Sequence, residues 1–125
     1  MKKRLYIGSI LVLLLALLCA CTLTDDREPY QFEREEITRV EGRQQATLVT
    51  LSESQCTELF DLIESLELRA TENENELMGW CYFFDVYHSD GTKTRFTVLD
   101  RYITVNGYIC DSNPYNYEIF GEFFE

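Results

Sequence analysis

The stretch Trp80 to Leu99 constrains the fold more than any other part of this chain. Cys81-Tyr82-Phe83-Phe84-Asp85-Val86-Tyr87 runs into Ser89-Asp90-Gly91 and returns through Thr94-Arg95-Phe96-Thr97-Val98. Aromatic and β-branched residues on both sides of a glycine-containing turn predict a β-hairpin. A three-residue loop, Ser89-Asp90-Gly91, with Gly91 left-handed, sets Phe84 against Phe96, Tyr82 against Val98 and Asp85 against Arg95. One face is then apolar, and the other carries a cross-strand ion pair. A two-residue loop, Asp90-Gly91, would set Asp85 against Phe96 and mix the faces.

The neighbouring segments extend this hairpin. Tyr102 to Val105, Asn106-Gly107 and Tyr108 to Cys110 read as a second hairpin, because Asn-Gly accepts positive φ at both turn positions. Asp100-Arg101 is a tight link, so an antiparallel four-strand meander is expected. Upstream, Ile37 to Val40 and Ala46 to Leu51 flank the polar Gly42-Arg43-Gln44-Gln45 and predict an N-terminal hairpin. From Ser52 to Leu68 the period changes. Cys56, Leu59, Phe60, Ile63 and Leu66 recur at helical spacing, and Ser52 with Gln55 forms a capping box. Cys56 in the first turn is expected to be buried and inert. Arg69 to Leu77, with Glu72, Glu74 and Glu76, reads as an acidic loop. Asn113-Pro114 is expected to open a C-terminal helix, with Asn113 as cap and Ile119, Phe120 and Phe123 on its apolar arc. The fold class is therefore α+β, in one small domain over residues 37–125.

The first residues follow a different rule. Lys2, Lys3 and Arg4 precede an apolar run from Leu5 to Leu18, which ends in Leu18-Cys19-Ala20-Cys21. A basic start, an apolar segment and small residues at a cleavage site make a secretory signal. This segment resembles a bacterial lipoprotein signal peptide. Leu18, Ala20 and Cys21 match that pattern, and Cys19 departs from the usual Ala or Ser. The resemblance implies cleavage after Ala20, a lipid on the Cys21 thiol, and residence on the extracytoplasmic face of the cell membrane. The alternative is an uncleaved spanning helix, for which the run is short of the ~20 residues required. Residues 1–20 then form the signal, and residues 21–36 a lipidated cysteine with an acidic tether.

Removal of the signal leaves 105 residues with eight basic and 22 acidic side chains, a net charge of −14. That balance opposes nucleic acid and anionic lipid headgroups, so lipid rather than a basic patch would hold the protein at the membrane. Cys56, Cys81 and Cys110 remain as thiols, an odd number with no metal-ligand spacing. Cys81 and Cys110, on the first and last strands of a meander, are expected to be unbonded.

Little in the sequence points to catalysis. His88, the single histidine, sits at a turn with no nucleophile paired to it. Asp111, Asn113 and Glu122 match parts of a calcium-loop template, but Asn116 stands where glycine is needed, and helix capping explains them better. No cofactor or metal is implied. The favoured reading is a non-catalytic, lipid-anchored binding or accessory module of the cell envelope. The alternative is a small hydrolase using carboxylates such as Asp85 or Asp100. The aromatic density of the C-terminal segment nominates Tyr115 and Tyr117 as contacts for a protein or peptide partner.

Overall fold

The structure, a computed structural model, describes residues 27–75 and 82–125. Trp80 and Cys81 lie outside those residues, as do Cys21 and the whole signal segment. The domain is α+β. Its strands are β1 (Ile37–Gln44), β2 (Thr47–Thr50), β3 (Arg69–Glu74), β4 (Tyr82–His88), β5 (Lys93–Val98), β6 (Ile103–Val105) and β7 (Tyr108–Asp111). One helix, α1 (Glu53–Ser65), separates β2 from β3.

All seven strands form a single antiparallel sheet in the order β2-β1-β4-β5-β6-β7-β3. The four-strand sheet expected from the sequence is therefore too small. The N-terminal hairpin joins on one side through β1, and β3 closes the other. The expected acidic loop is the strand β3 over Arg69–Glu74, where Ala70 pairs with Cys110 and Glu74 with Tyr108. Its carboxylates hid the strand because an edge strand needs only one partner and tolerates charge.

The β4–β5 register places Phe84 opposite Phe96, Tyr82 opposite Val98 and Asp85 opposite Arg95. The His88 N–H donates to Thr92 O, and Gly91 has φ +89°, so the three-residue loop holds. Asn106 and Gly107 both take positive φ, as a two-residue turn of this type requires.

The register sorts side chains to two faces. Val40, Phe84, Val86, Phe96, Val98, Ile103 and Cys110 face the core. They meet Leu59, Phe60 and Ile63 of α1, which are the apolar face the 3.6-residue period foretold. Ser52 accepts from the Gln55 N–H, and its own N–H donates to Gln55 Oε1, completing the capping box.

Two corrections concern the ends of the domain. The expected tether is part of the fold from Arg27 onward. Arg27 pairs with Asp111 at 2.7 Å, and the Tyr30 N–H donates to Leu68 O. The Phe32 ring lies 4.4 Å from that of Phe60 and 5.2 Å from that of Phe96. Arg34 then clamps the segment to α1 through Asp61 and Glu64, at 2.7 and 2.9 Å. Two aromatic anchors outweigh a run of solvated carboxylates, because only the rings have water to leave.

At the other end, the expected α-helix is a 3₁₀ helix over Tyr117–Phe124, capped by Asn116. Asn113 does not cap it. Its backbone N–H and side-chain amide donate to Leu66 O and Ser65 O, satisfying carbonyls at the end of α1. Three residues per turn stack Tyr117, Phe120 and Phe123 in one row against the core. Gly121 leaves room there for the Tyr82 hydroxyl, which a Cβ would approach to 2.9 Å and force to shift.

Candidate binding edge

The sheet ends differently on its two sides. β3 carries Glu72 and Glu74 and has a register irregularity between Ala70 and Glu74. Charge and irregularity are how an edge strand resists pairing with a foreign chain. β2 has neither. Thr47-Leu48-Val49-Thr50 is uncharged and pairs with β1 in unbroken register. Its Leu48 side chain is 52% exposed.

Strand alternation fixes which backbone groups of β2 remain on the open side. Leu51 donates its N–H to Val40 O, so Leu51, Val49 and Thr47 turn toward β1. Leu48 and Thr50 therefore direct N–H and C=O away from the sheet. Among the described residues no strand pairs with that side.

Where β2 turns into α1, no strand among the described residues flanks the first residues of β1 on that side. A groove of about 520 Å³ occupies the place. Ile37, Leu51 and Phe60 give it apolar walls. Thr38, Thr50 and Thr57 bring hydroxyls, and Arg34, Arg39 and Glu53 bring charge. Cys56 also lines it and is half-buried rather than buried. Burial still pushes its thiol pKa up, so it is a weak nucleophile at neutral pH. Arg34 is committed to Asp61 and Glu64, and the Asp61 bond is the main reason its pKa is raised.

The sheet face turned away from the core adjoins this edge and carries a ladder of rings and cations. The Arg39 guanidinium stacks 4.0 Å from the centre of the Tyr87 ring, and Arg95 4.3 Å from that of Phe83. Arg43 lies over the same Phe83 ring at 5.9 Å. Arg95 grips Asp85 with two bonds of 2.7 and 2.8 Å, and Lys93 approaches the same carboxylate at 3.9 Å. Four of the eight basic residues that follow the signal segment thus stand on β1 and β5, the two strands that flank β4. They face two carboxylates, Glu41 and Asp85, in a chain whose net charge is −11.

The residues nominated from the sequence fall elsewhere. Tyr115 is half-buried, donates its hydroxyl to Leu99 O at 2.8 Å and meets Phe120 edge-on. Tyr117 is half-buried against the same core. Asp85 is held in its ion pair, and Asp100 is exposed. His88 bonds Thr94 Oγ1 at 2.8 Å. Asp111 is taken by Arg27. Among the described residues no group of three His, Cys, Asp or Glu side chains converges as a metal site would. Sequence reading expected this strand within Ala46 to Leu51 but gave its edge no role, because Thr47-Leu48-Val49-Thr50 carries no ring and no charge. The available signal was the lack of any guarding residue in a strand next to a turn.

The chain matches no protein-family model, no curated protein and no solved structure.

Proposed function

We propose that this protein is a lipid-anchored, extracytoplasmic binding module of the bacterial envelope, with the open β2 edge and its groove as the binding surface. The observation that carries the reading is the contrast between the two sheet edges. One is guarded by carboxylates and an irregular register, and the other, with no strand paired to it among the described residues, presents outward-turned backbone, Leu48 and an apolar groove. The groove gathers hydroxyls and apolar walls, which suit recognition. Its arginines are already neutralised by neighbouring carboxylates.

The lipid on Cys21 rests on the resemblance of Leu18-Cys19-Ala20-Cys21 to a lipoprotein signal. With that lipid in place, the fold shortens the leash. Arg27 is already held by the domain, six residue steps from Cys21, which reach at most about 20 Å. Arg27 bonds Asp111 and the Ala70 carbonyl, on β7 and β3. The lipid therefore holds the β3 side of the sheet toward the membrane, and the β2 edge stands at the opposite end.

Growth with a labelled palmitate analogue tests the anchor. Wild-type protein is expected to take up label and Cys21→Ser none; equal labelling refutes the anchor. A photo-crosslinking residue at Thr57, in the groove, tests the binding surface in intact cells. One discrete adduct is expected from that position and none from exposed Glu118. Adducts of equal yield from both positions, or from neither, refute the surface.

A further inference from the structure

We propose that residues 27–36 are a hinged strap, which undocks as a unit while the sheet stays folded and so takes one wall of the groove away. This deepens the reading above, as a device that controls the groove, and rests on it.

The strap is held unlike any strand. Every strand has a ladder of backbone bonds to at least one neighbour. Among the described residues, two backbone–backbone bonds join the strap to the rest of the domain. They run from the Tyr30 N–H to Leu68 O and from the Ser89 N–H to Glu36 O, each at 2.7 Å. The other bonds use a side chain, as where the Phe32 N–H donates to Glu64 Oε1 and Arg69 Nε donates to Arg27 O. The ion pairs Arg27–Asp111 and Arg34–Asp61 are exposed, and such pairs contribute little and weaken with salt. What remains is the seat of Tyr30 and Phe32 on Phe60 and Phe96. Few backbone bonds, exposed polar contacts and a small apolar seat mark a segment that opens at less cost than the whole domain.

Its two ends do different things. At Arg27 the strap leads toward Cys21, so a pull on the leash reaches it before any strand. At Arg34, and at Ile37 where β1 begins, it lines the groove with Cys56, Thr57 and Phe60 of α1. Arg34 is the latch. Its guanidinium bonds Asp61 and Glu64 and lies 5.6 Å from the centre of the Phe60 ring. A ligand seated between Arg34 and α1 holds the strap down, and a lifted strap leaves that ligand half a site. Docking and binding therefore strengthen each other by the same factor.

The test uses the full lipidated protein in detergent and needs no ligand. Hydrogen exchange is followed at single amides, and iodoacetamide alkylation of Cys56 and Cys110 by mass spectrometry. The amides of Tyr30, Phe32 and Ser89 should exchange faster than those of Val86 and Phe96. Ser89 is diagnostic, because it belongs to the β4–β5 turn but its acceptor is on the strap. Arg34→Ala should speed these three amides and Cys56 alkylation together, roughly tenfold, the worth of two exposed ion pairs and a ring contact. Val86, Phe96 and the buried Cys110 should keep their rates, and Arg34→Lys should recover part of the effect. At about 1 M salt, where the screening length is ~3 Å, wild type should speed up more than Arg34→Ala. Equal acceleration at Val86, Phe96 and Cys110 overturns the proposal, since the strap would then open only with the whole domain. So does an Arg34→Ala protein with every rate unchanged. Faster strap amides with unchanged Cys56 alkylation also overturn it, because the strap would not be a wall of the groove. Should Arg34→Ala unfold the domain, the salt series on wild-type protein makes the same distinctions. The palmitate and Thr57 experiments do not read strap opening, so an anchored module with a fixed strap would be recognised as such.

Discussion

Phe32→Ala separates a tether from a core. If residues 21–36 were a spacer, removing the ring would leave stability unchanged. In the structure Phe32 is 8% exposed and touches three other rings, with centroids 4.4 Å from Phe60, 5.0 Å from Tyr30 and 5.2 Å from Phe96. Truncating a buried Phe to Ala costs roughly 3–5 kcal/mol, from lost transfer energy and the cavity that remains. The ring pairs place this site in the upper half of that range, since each adds about 0.5–1.5 kcal/mol beyond its area. A domain of this size has only about 5–15 kcal/mol in all. Urea unfolding followed by circular dichroism provides the assay. With a slope of about 1.5 kcal/mol per molar, the midpoint should fall by roughly 3 M without a change in slope. Gln31→Ala, one residue away and exposed, should shift stability by less than about 0.5 kcal/mol. A Phe32→Ala midpoint within error of wild type would refute the inclusion of this segment in the core.

Three further outcomes are expected. Arg95→Ala strips the buried Asp85 carboxylate of two bonds and leaves it only Lys93 at 3.9 Å; denaturant titration should show a loss of about 1.5–3 kcal/mol, and Arg95→Lys should recover part of it. Gly42→Ala should cost about 1–3 kcal/mol in the same assay, because the new Cβ would sit 3.1 Å from both the Phe84 and Phe124 rings. Burial raises the Cys110 thiol from its ordinary 9.0 to about 11, so the folded state keeps a proton that the unfolded chain gives up. The resulting stability is fully present below pH 9 and is lost as pH rises toward 11, by roughly 2–3 kcal/mol, and Cys110→Ala should make the slope between pH 9 and 11 shallower, leaving the smaller share of Cys56 and Tyr30, which burial also raises.

What was legible in the sequence was local. The β4–β5 register follows from Gly91 and from alternation that permits one clean pairing. The Asn106-Gly107 turn and the Ser52–Gln55 capping box depend on residues two or three apart. The face of α1 follows from its own period. The α+β class needed nothing more.

The tertiary structure decided everything that depends on residues far apart in the chain. β3 is a strand because β7, some forty residues later, offers it an edge; an isolated Arg69–Glu74 has no reason to extend. Residues 27–36 belong to the domain because α1 and β5 bring Phe60 and Phe96 under Phe32. The C-terminal row of Tyr117, Phe120 and Phe123 winds at three residues per turn. Gly121 and Tyr82 meet there, and Asn113 is already spent on the end of α1. The candidate edge itself is a property of order in the sheet. Thr47-Leu48-Val49-Thr50 is an ordinary β-branched stretch on paper. It becomes an edge of the sheet because β4 takes the other side of β1, and among the described residues no strand pairs with the outer side of the hairpin's second strand. Backbone pairing is satisfied one edge at a time, and which edge stays open is fixed only when every strand has found its neighbour.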